Sequence, residues 1–223
     1  MMQKLMCLGV FLGILVGCSS APNTGEIQSS ETDIVTQDEQ KVILALGDSL
    51  TAGYGLPIED SYPSQLSQKL QDDGYSYEII NAGVSGDTSS QLLDRSELYL
   101  DQNPDIAIIV IGGNDGLRGL STDELKENIL KIIDLYQENN ITIVLGGMDI
   151  PVNLGLSYRN DFVEVYQEIA DERDVYFFES FLEDVGGVAS LNQADRIHPT
   201  PEGYDIITDN LYEFLLSEDI LQK

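Results

Sequence analysis

Histidine occurs once and cysteine twice in these 223 residues, tryptophan is absent, and only 11 lysines and arginines stand against 39 aspartates and glutamates. Each scarcity excludes something. A formal net charge of −28 repels phosphate backbones, which argues against nucleic acid as a partner. It equally disfavours electrostatic docking on anionic lipid. Both cysteines, Cys7 and Cys18, fall near the N-terminus, so the rest of the chain has no thiol for a disulfide, a zinc site or a cysteine nucleophile. The aspartates show no octahedral ligand pattern, and no metal site is expected. With one histidine, any base that titrates near neutrality without a perturbed pKa must be His198.

What is present begins with a leader. Residues 1–17 combine Lys4 with the apolar stretch Leu5–Val16, which is short for a bilayer span. The stretch ends in "LVGC", Leu15 to Cys18, which resembles a bacterial lipobox. That resemblance implies cleavage before Cys18, lipidation of Cys18 and an extracytoplasmic, membrane-anchored protein. The anchor is expected in the outer membrane, facing the periplasm, if the cell has one. Residues 18–40 are polar and rich in Ser, Thr, Asp and Glu, with too few apolar groups for a core, so they read as a tether. The expected folded domain is 41–223, a length that suits one well-packed unit.

Within it, strand-like apolar runs at 42–46, 77–80, 106–111, 141–146 and 175–178 alternate with amphipathic stretches at 62–71, 89–99, 122–138, 158–170 and 205–216. Runs apolar on both faces suit central parallel strands covered by crossover helices. The pattern predicts a three-layer α/β/α sandwich. In such sheets ligands meet the carboxyl ends of the strands. Here those exits read "GDSLTAGYG", "NAGVSGDTS", "GGNDGLRG" and "GMDIPVNLG", and "DRIHPTPEGY" precedes the last helix.

His198 lies in that last segment, on a loop stiffened by Pro199, with Pro201 placed to open a helix capped by Thr200. Asp195 stands three residues earlier. A tight loop can bring its carboxylate to His198 Nδ1, leaving Nε2 to take a proton. Ser49 stands where a buried strand opens at the ligand edge, and Asp48 or Ser49 could equally be a helix cap. The surroundings of Ser49 are neither a Gly-x-Ser-x-Gly elbow, nor a phosphate loop, nor a dinucleotide fingerprint. Gly83 could offer a backbone N–H, and Asn114 a side-chain amide, to an oxygen that becomes negative. Leu56, Leu117, Leu120, Val152, Leu154 and Leu156 could receive an acyl chain or cap the core.

Taken together, "GDSL" at 47–50, "NAGVSGDTS" at 81–89, "GGND" at 112–115 and "DRIHPTPEGY" at 195–204 resemble the ordered blocks of the GDSL, or SGNH, hydrolase family. The bacterial arylesterase, thioesterase I and lysophospholipase L1 branch is the most similar. The resemblance implies a flavodoxin-like fold with a five-stranded parallel sheet in the order 2-1-3-4-5. It implies a cofactor-free serine esterase acting on small ester or thioester substrates. Ser49 would be the nucleophile, with His198 and Asp195 as base and acid. Ser49, Gly83 and Asn114 would form the oxyanion hole. A carbohydrate O-acetylesterase with the same triad, and an inactive tethered binding protein, are the alternatives. After the fourth strand the chain departs from the branch at Met148 and Asp149, which leaves acyl preference open.

Overall fold

A computed structural model of the protein describes residues 40–223. The expected leader at 1–17, the lipidated Cys18 and nearly all of the tether at 18–40 lie outside the described residues.

Apolar residues with no polar face to present to water form the sheet. β1 (Lys41–Gly47) is buried from Ile43 onward, and every residue of β3 (Ile106–Val110) is buried. Around them lie β2 (Tyr77–Gly83), β4 (Thr142–Gly146) and β5 (Tyr176–Phe178). All pairings are parallel and the order is β2-β1-β3-β4-β5. This is the expected five-stranded arrangement, entered one strand in from the edge, with β2 added on one side of β1 and β3, β4 and β5 on the other.

Among the described residues α2 (Tyr62–Asp72), α3 (Ser89–Ser96), α5 (Thr122–Gln137) and α6 (Leu156–Glu172) supply the four crossovers, and α7 (Pro201–Ser217) follows β5 and closes the chain. α2 packs with α7, whereas α5 packs with both α3 and α6, so the sheet is covered on two sides. The helices bury a regular apolar stripe; in α5 it is Leu125, Ile129, Ile132, Ile133 and Tyr136. Two further helices, α1 (Ser49–Ala52) and α4 (Gly113–Arg118), are too short to show a period in sequence. Both stand at strand exits, immediately after β1 and β3. The expected helix at 89–99 stops at Ser96 and continues as a 3₁₀ turn, Glu97–Gln102.

Register brings the exits together. Gly47 pairs with Gly83 on one side and with Val110 on the other, so the loops after β1, β2 and β3 leave the sheet at one level. A side chain at Gly47 would meet the Val110 carbonyl oxygen and Thr51 Oγ1, each 2.2 Å from its Cβ position. Glycine there is a packing requirement of the closely spaced exits.

Candidate active site

Asp48 follows β1 with its carboxylate buried. Its Oδ1 accepts the Leu50 N–H at 3.0 Å and caps α1, so the capping role open in the sequence is real. The consequence is that Ser49 becomes the first residue of α1. Its backbone N–H has no acceptor among the described residues, as befits a first-turn amide.

The final loop reaches the same point from the other end of the chain. Thr200 caps α7 by accepting the Gly203 N–H, with Pro201 next, as its sequence predicts. Upstream, Asp195 Oδ1 accepts the backbone N–H groups of Ile197 and His198, each at 3.1 Å, while Oδ2 lies 2.8 Å from His198 Nδ1. Burial alone would raise the Asp195 carboxyl; the His198 ring contact and the two amides outweigh it and hold the group below its ordinary value. The other ring nitrogen, Nε2, lies 2.8 Å from Ser49 Oγ. The Tyr54 ring tilts against the imidazole at a centroid distance of 4.7 Å. Gln193 Nε2 donates to the carbonyls of Tyr54 and Pro199, tying the two loops together.

Ser49, His198 and Asp195 are therefore one hydrogen-bonded line. It opens onto a cleft of about 830 Å³ whose lining includes Asn114, Leu117, Met148, Ile150, Leu182 and Ile197. Of the six loop residues considered for an acyl chain, Leu117 alone lines this cleft. Leu56 packs against the core, whereas Leu120, Val152, Leu154 and Leu156 are exposed away from it. Met148 and Asp149, the residues that left acyl preference open in sequence, do line it, and Asp149 forms an ion pair with Arg159.

Asn114 sits in the first turn of α4. Its Nδ2 donates to the Asp87 carbonyl at 2.9 Å, and only a 3.4 Å contact to Asp48 Oδ2 engages its second proton. The next residue, Asp115, is buried and accepts from Ser89 N–H at 2.9 Å and Ser89 Oγ at 2.7 Å. Asn128 closes this network on Ser89 Oγ at 3.0 Å. Asn114 is thus held from both sides. Asp115, Ser89 and Asn128 were missed in sequence because each reads there as an ordinary polar residue of a helix start or face.

Gly83 does not take the place expected of it. Its N–H donates to Asn81 Oδ1 at 3.0 Å, and it does not line the cleft. Its Cβ position lies 2.2 Å from the Ala52 backbone nitrogen, so glycine is required there to let α1 pack against β2. Gly86, three residues later, lines the cleft instead, and its N–H meets no acceptor among the described residues. Gly86 has φ +93°, a conformation that favours glycine, and its carbonyl accepts from Arg118 at 2.9 Å. Gly83 was singled out in sequence from the same "NAGVSG" block, but it is the last residue of β2, and Gly86 lies in the loop beyond.

Burial pushes the Asp48 carboxyl up to about 6; the Leu50 amide and His198 oppose the rise, and nearby Asp115 adds to it. Among the described residues no three His, Cys, Asp or Glu side chains gather into a metal-binding cluster.

Comparison with known proteins agrees with the fold. The model of the GDSL-like Lipase/Acylhydrolase family matches residues 45–206. The arylesterase of Vibrio mimicus is 37% identical over 168 residues, covering 75% of this chain and 84% of that protein. Esterase TesA of Pseudomonas aeruginosa is 33% identical over 183 residues, covering 82% and 91% respectively. A crystal structure of TesA matches with a TM-score of 0.76 at 34% identity, over 78% of this chain and 98% of that one. On its strand exits, its fold and these matches, the chain belongs to the GDSL-like lipase/acylhydrolase family.

Proposed function

We propose that this serine esterase cleaves carboxylic esters of short to medium acyl length through an acyl-enzyme on Ser49. The observation that carries the reading is the Asp195–His198–Ser49 line, 2.8 Å at each ring nitrogen, opening onto a cleft with unengaged N–H donors.

In the proposed cycle His198 Nε2 removes the Ser49 proton as Oγ attacks the ester carbonyl. The new oxyanion faces the N–H groups of Ser49 and Gly86 and the Asn114 amide. Donors that bind this charge better than the planar ester lower the barrier. Asp195 holds the ring with Nδ1–H toward itself and stabilises the imidazolium. Protonated His198 then delivers its proton to the leaving alcohol as the tetrahedral centre collapses. Water, activated by the same imidazole, releases the acid and restores Ser49.

The apolar walls of the cleft favour an acyl chain over an acetylated glycan, which keeps the O-acetylesterase as the second reading. Thioesters and lysophospholipids fit the same chemistry, and relatives carry the names arylesterase and thioesterase 1/lysophospholipase L1. The "LVGC" ending supports a lipid anchor on Cys18 and an extracytoplasmic site of action. Among the described residues no helix is long and apolar enough to cross a membrane.

Turnover of a p-nitrophenyl ester series, lysophosphatidylcholine, acyl-CoA and acetylated xylan, with fluorophosphonate labelling of Ser49, tests the function. Activity on xylan acetate without activity on butyryl or longer esters would favour the second reading. Cys18→Ser should release the protein from the membrane fraction; unchanged retention would remove the anchor.

A further inference from the structure

Arg95 belongs to no motif of the sequence, yet it is among the least exposed basic side chains near the cleft. Its side chain is 15% exposed and that of its ion-pair partner Asp87 is 9% exposed. α3 starts directly after the loop that carries Gly86, with Thr88 and Gln91 forming a capping box. Helical side chains tilt toward the helix N-terminus, so Arg95, in the last turn, extends back along α3 toward that loop.

Its guanidinium spends four donor contacts there. Nε donates to Asp87 Oδ2 at 2.7 Å, Nη1 to the Ala82 carbonyl at 2.8 Å and Tyr99 Oη at 2.9 Å, and Nη2 to the Gly47 carbonyl at 2.9 Å. The acceptors belong to different segments. Gly47 lies two residues before Ser49, and its carbonyl also accepts the Val84 N–H at 3.1 Å. Ala82 and Asp87 bracket the loop that contains Gly86. The Asp87 carbonyl, in turn, accepts from Asn114 Nδ2 at 2.9 Å. One planar fork therefore fastens the backbone behind all three N–H groups that face the cleft: Ser49, Gly86 and, through Asp87, Asn114.

We propose that Arg95 is the positioning residue of the oxyanion donors, setting their mutual spacing without touching substrate. The proposal rests on the esterase reading above. A donor cluster works only if its members are held at the position the oxyanion will occupy, and misplacement by about 1 Å can cost roughly 10²-fold in rate. Arginine is required by geometry. Its donors diverge in a rigid plane and reach two strand exits and a carboxylate at once, whereas lysine offers three donors from a single nitrogen. Because the contacts lie behind the donors, their loss should act on the transition state far more than on ground-state binding.

The test compares wild type, Arg95→Lys and Arg95→Ala in the full chain with p-nitrophenyl butyrate, reading kcat and KM separately beside the thermal midpoint. The expected result is a kcat lowered by about 10–10²-fold in both variants with KM within about threefold. Added guanidinium at millimolar concentration should restore part of the lost kcat in Arg95→Ala, and ammonium should not. Wild-type kcat in a folded Arg95→Lys overturns the proposal, whether or not Arg95→Ala folds. So does a raised KM at unchanged kcat, which would make Arg95 a substrate-binding group. The same preparations separate the proposal from its premise. A wild type without Ser49-dependent turnover ends both, while full activity in folded Arg95 variants ends the positioning role alone.

Discussion

His198 Nε2 stands 2.8 Å from Ser49 Oγ, although 149 residues separate them in the chain. Neither position is fixed by its partner. Ser49 is placed by the Asp48 cap on α1, and His198 by the Asp195 turn and the Thr200–Pro201 start of α7. Two independent local structures, each stable for its own reasons, thus meet at one hydrogen bond.

Ser49→Ala should lower kcat on p-nitrophenyl butyrate by at least roughly 10³-fold, because it removes the covalent route. The fold should survive, since among the described residues the hydroxyl bonds only to His198. Steady-state kinetics with circular dichroism checks this, and a residual rate near wild type would reject Ser49 as nucleophile.

Asp195→Asn keeps the size of the side chain but offers no charge to an imidazolium and can set the wrong tautomer. A fall in kcat of about 10²–10⁴-fold is expected, with KM little changed. The thermal midpoint should move little because the residue is exposed. Activity within tenfold of wild type would deny Asp195 its role.

Packing at Gly83 and hydrogen-bond donation at Asn114 have opposite signatures. Gly83→Ala would force a Cβ to within 2.2 Å of the Ala52 nitrogen, so stability should fall by about 1–3 kcal/mol or more. In a domain of this size that is roughly 2–12 °C in thermal midpoint. Asn114→Ala, by contrast, should cost about 10²–10³ in kcat, as expected for one lost donor. Calorimetry and kinetics on the two variants separate packing from catalysis. A Gly83→Ala protein with unchanged midpoint would contradict the packing argument.

Asp48 supplies a pH-dependent stability. Burial raises its folded pKa to about 6, above the ordinary carboxyl value of 3.8, so the folded state holds the proton more tightly. Between those values the unfolded chain releases its proton first, and stability falls as pH rises through the window. The burden, roughly 3 kcal/mol from about 1.4 kcal/mol per unit, is fully present above pH 6 and absent below about pH 4. Asp48→Asn retains an oxygen to cap α1 and cannot ionise. Its thermal midpoint should exceed that of wild type at pH 8 and match it near pH 4. An equal difference at both values would assign the effect to something other than this carboxyl.

The fold was largely legible in the residues. Runs such as Ile106–Val110, apolar on both faces, have no stable place except inside a covered parallel sheet, and the α5 stripe has only one face to bury. The boundary of α3 was less so, because Glu97–Gln102 keeps the apolar spacing of a helix while tightening into a 3₁₀ turn. The short helices α1 and α4 carry no period at all, and their existence follows from capping and from the strand exits they sit on.

Ser49, Asn114, Asp195 and His198 could be singled out from sequence because each stands at a strand exit or a capped loop, positions that chain-local chemistry defines. That chemistry also gave Asp195 its hydrogen bond to His198, three residues away. Only the tertiary structure took Gly83 out of the cleft and set Gly86 in it, admitted Leu117 and left Leu154 outside, and set Arg95 behind the exits of β1 and β2 at once. Those outcomes depend on register and on the packing of α1 against β2, contacts between segments distant in sequence. Local propensity can leave a first-turn amide such as that of Ser49 without an acceptor, whereas which of these groups face one cleft is decided by the long-range arrangement that brings the strand exits together.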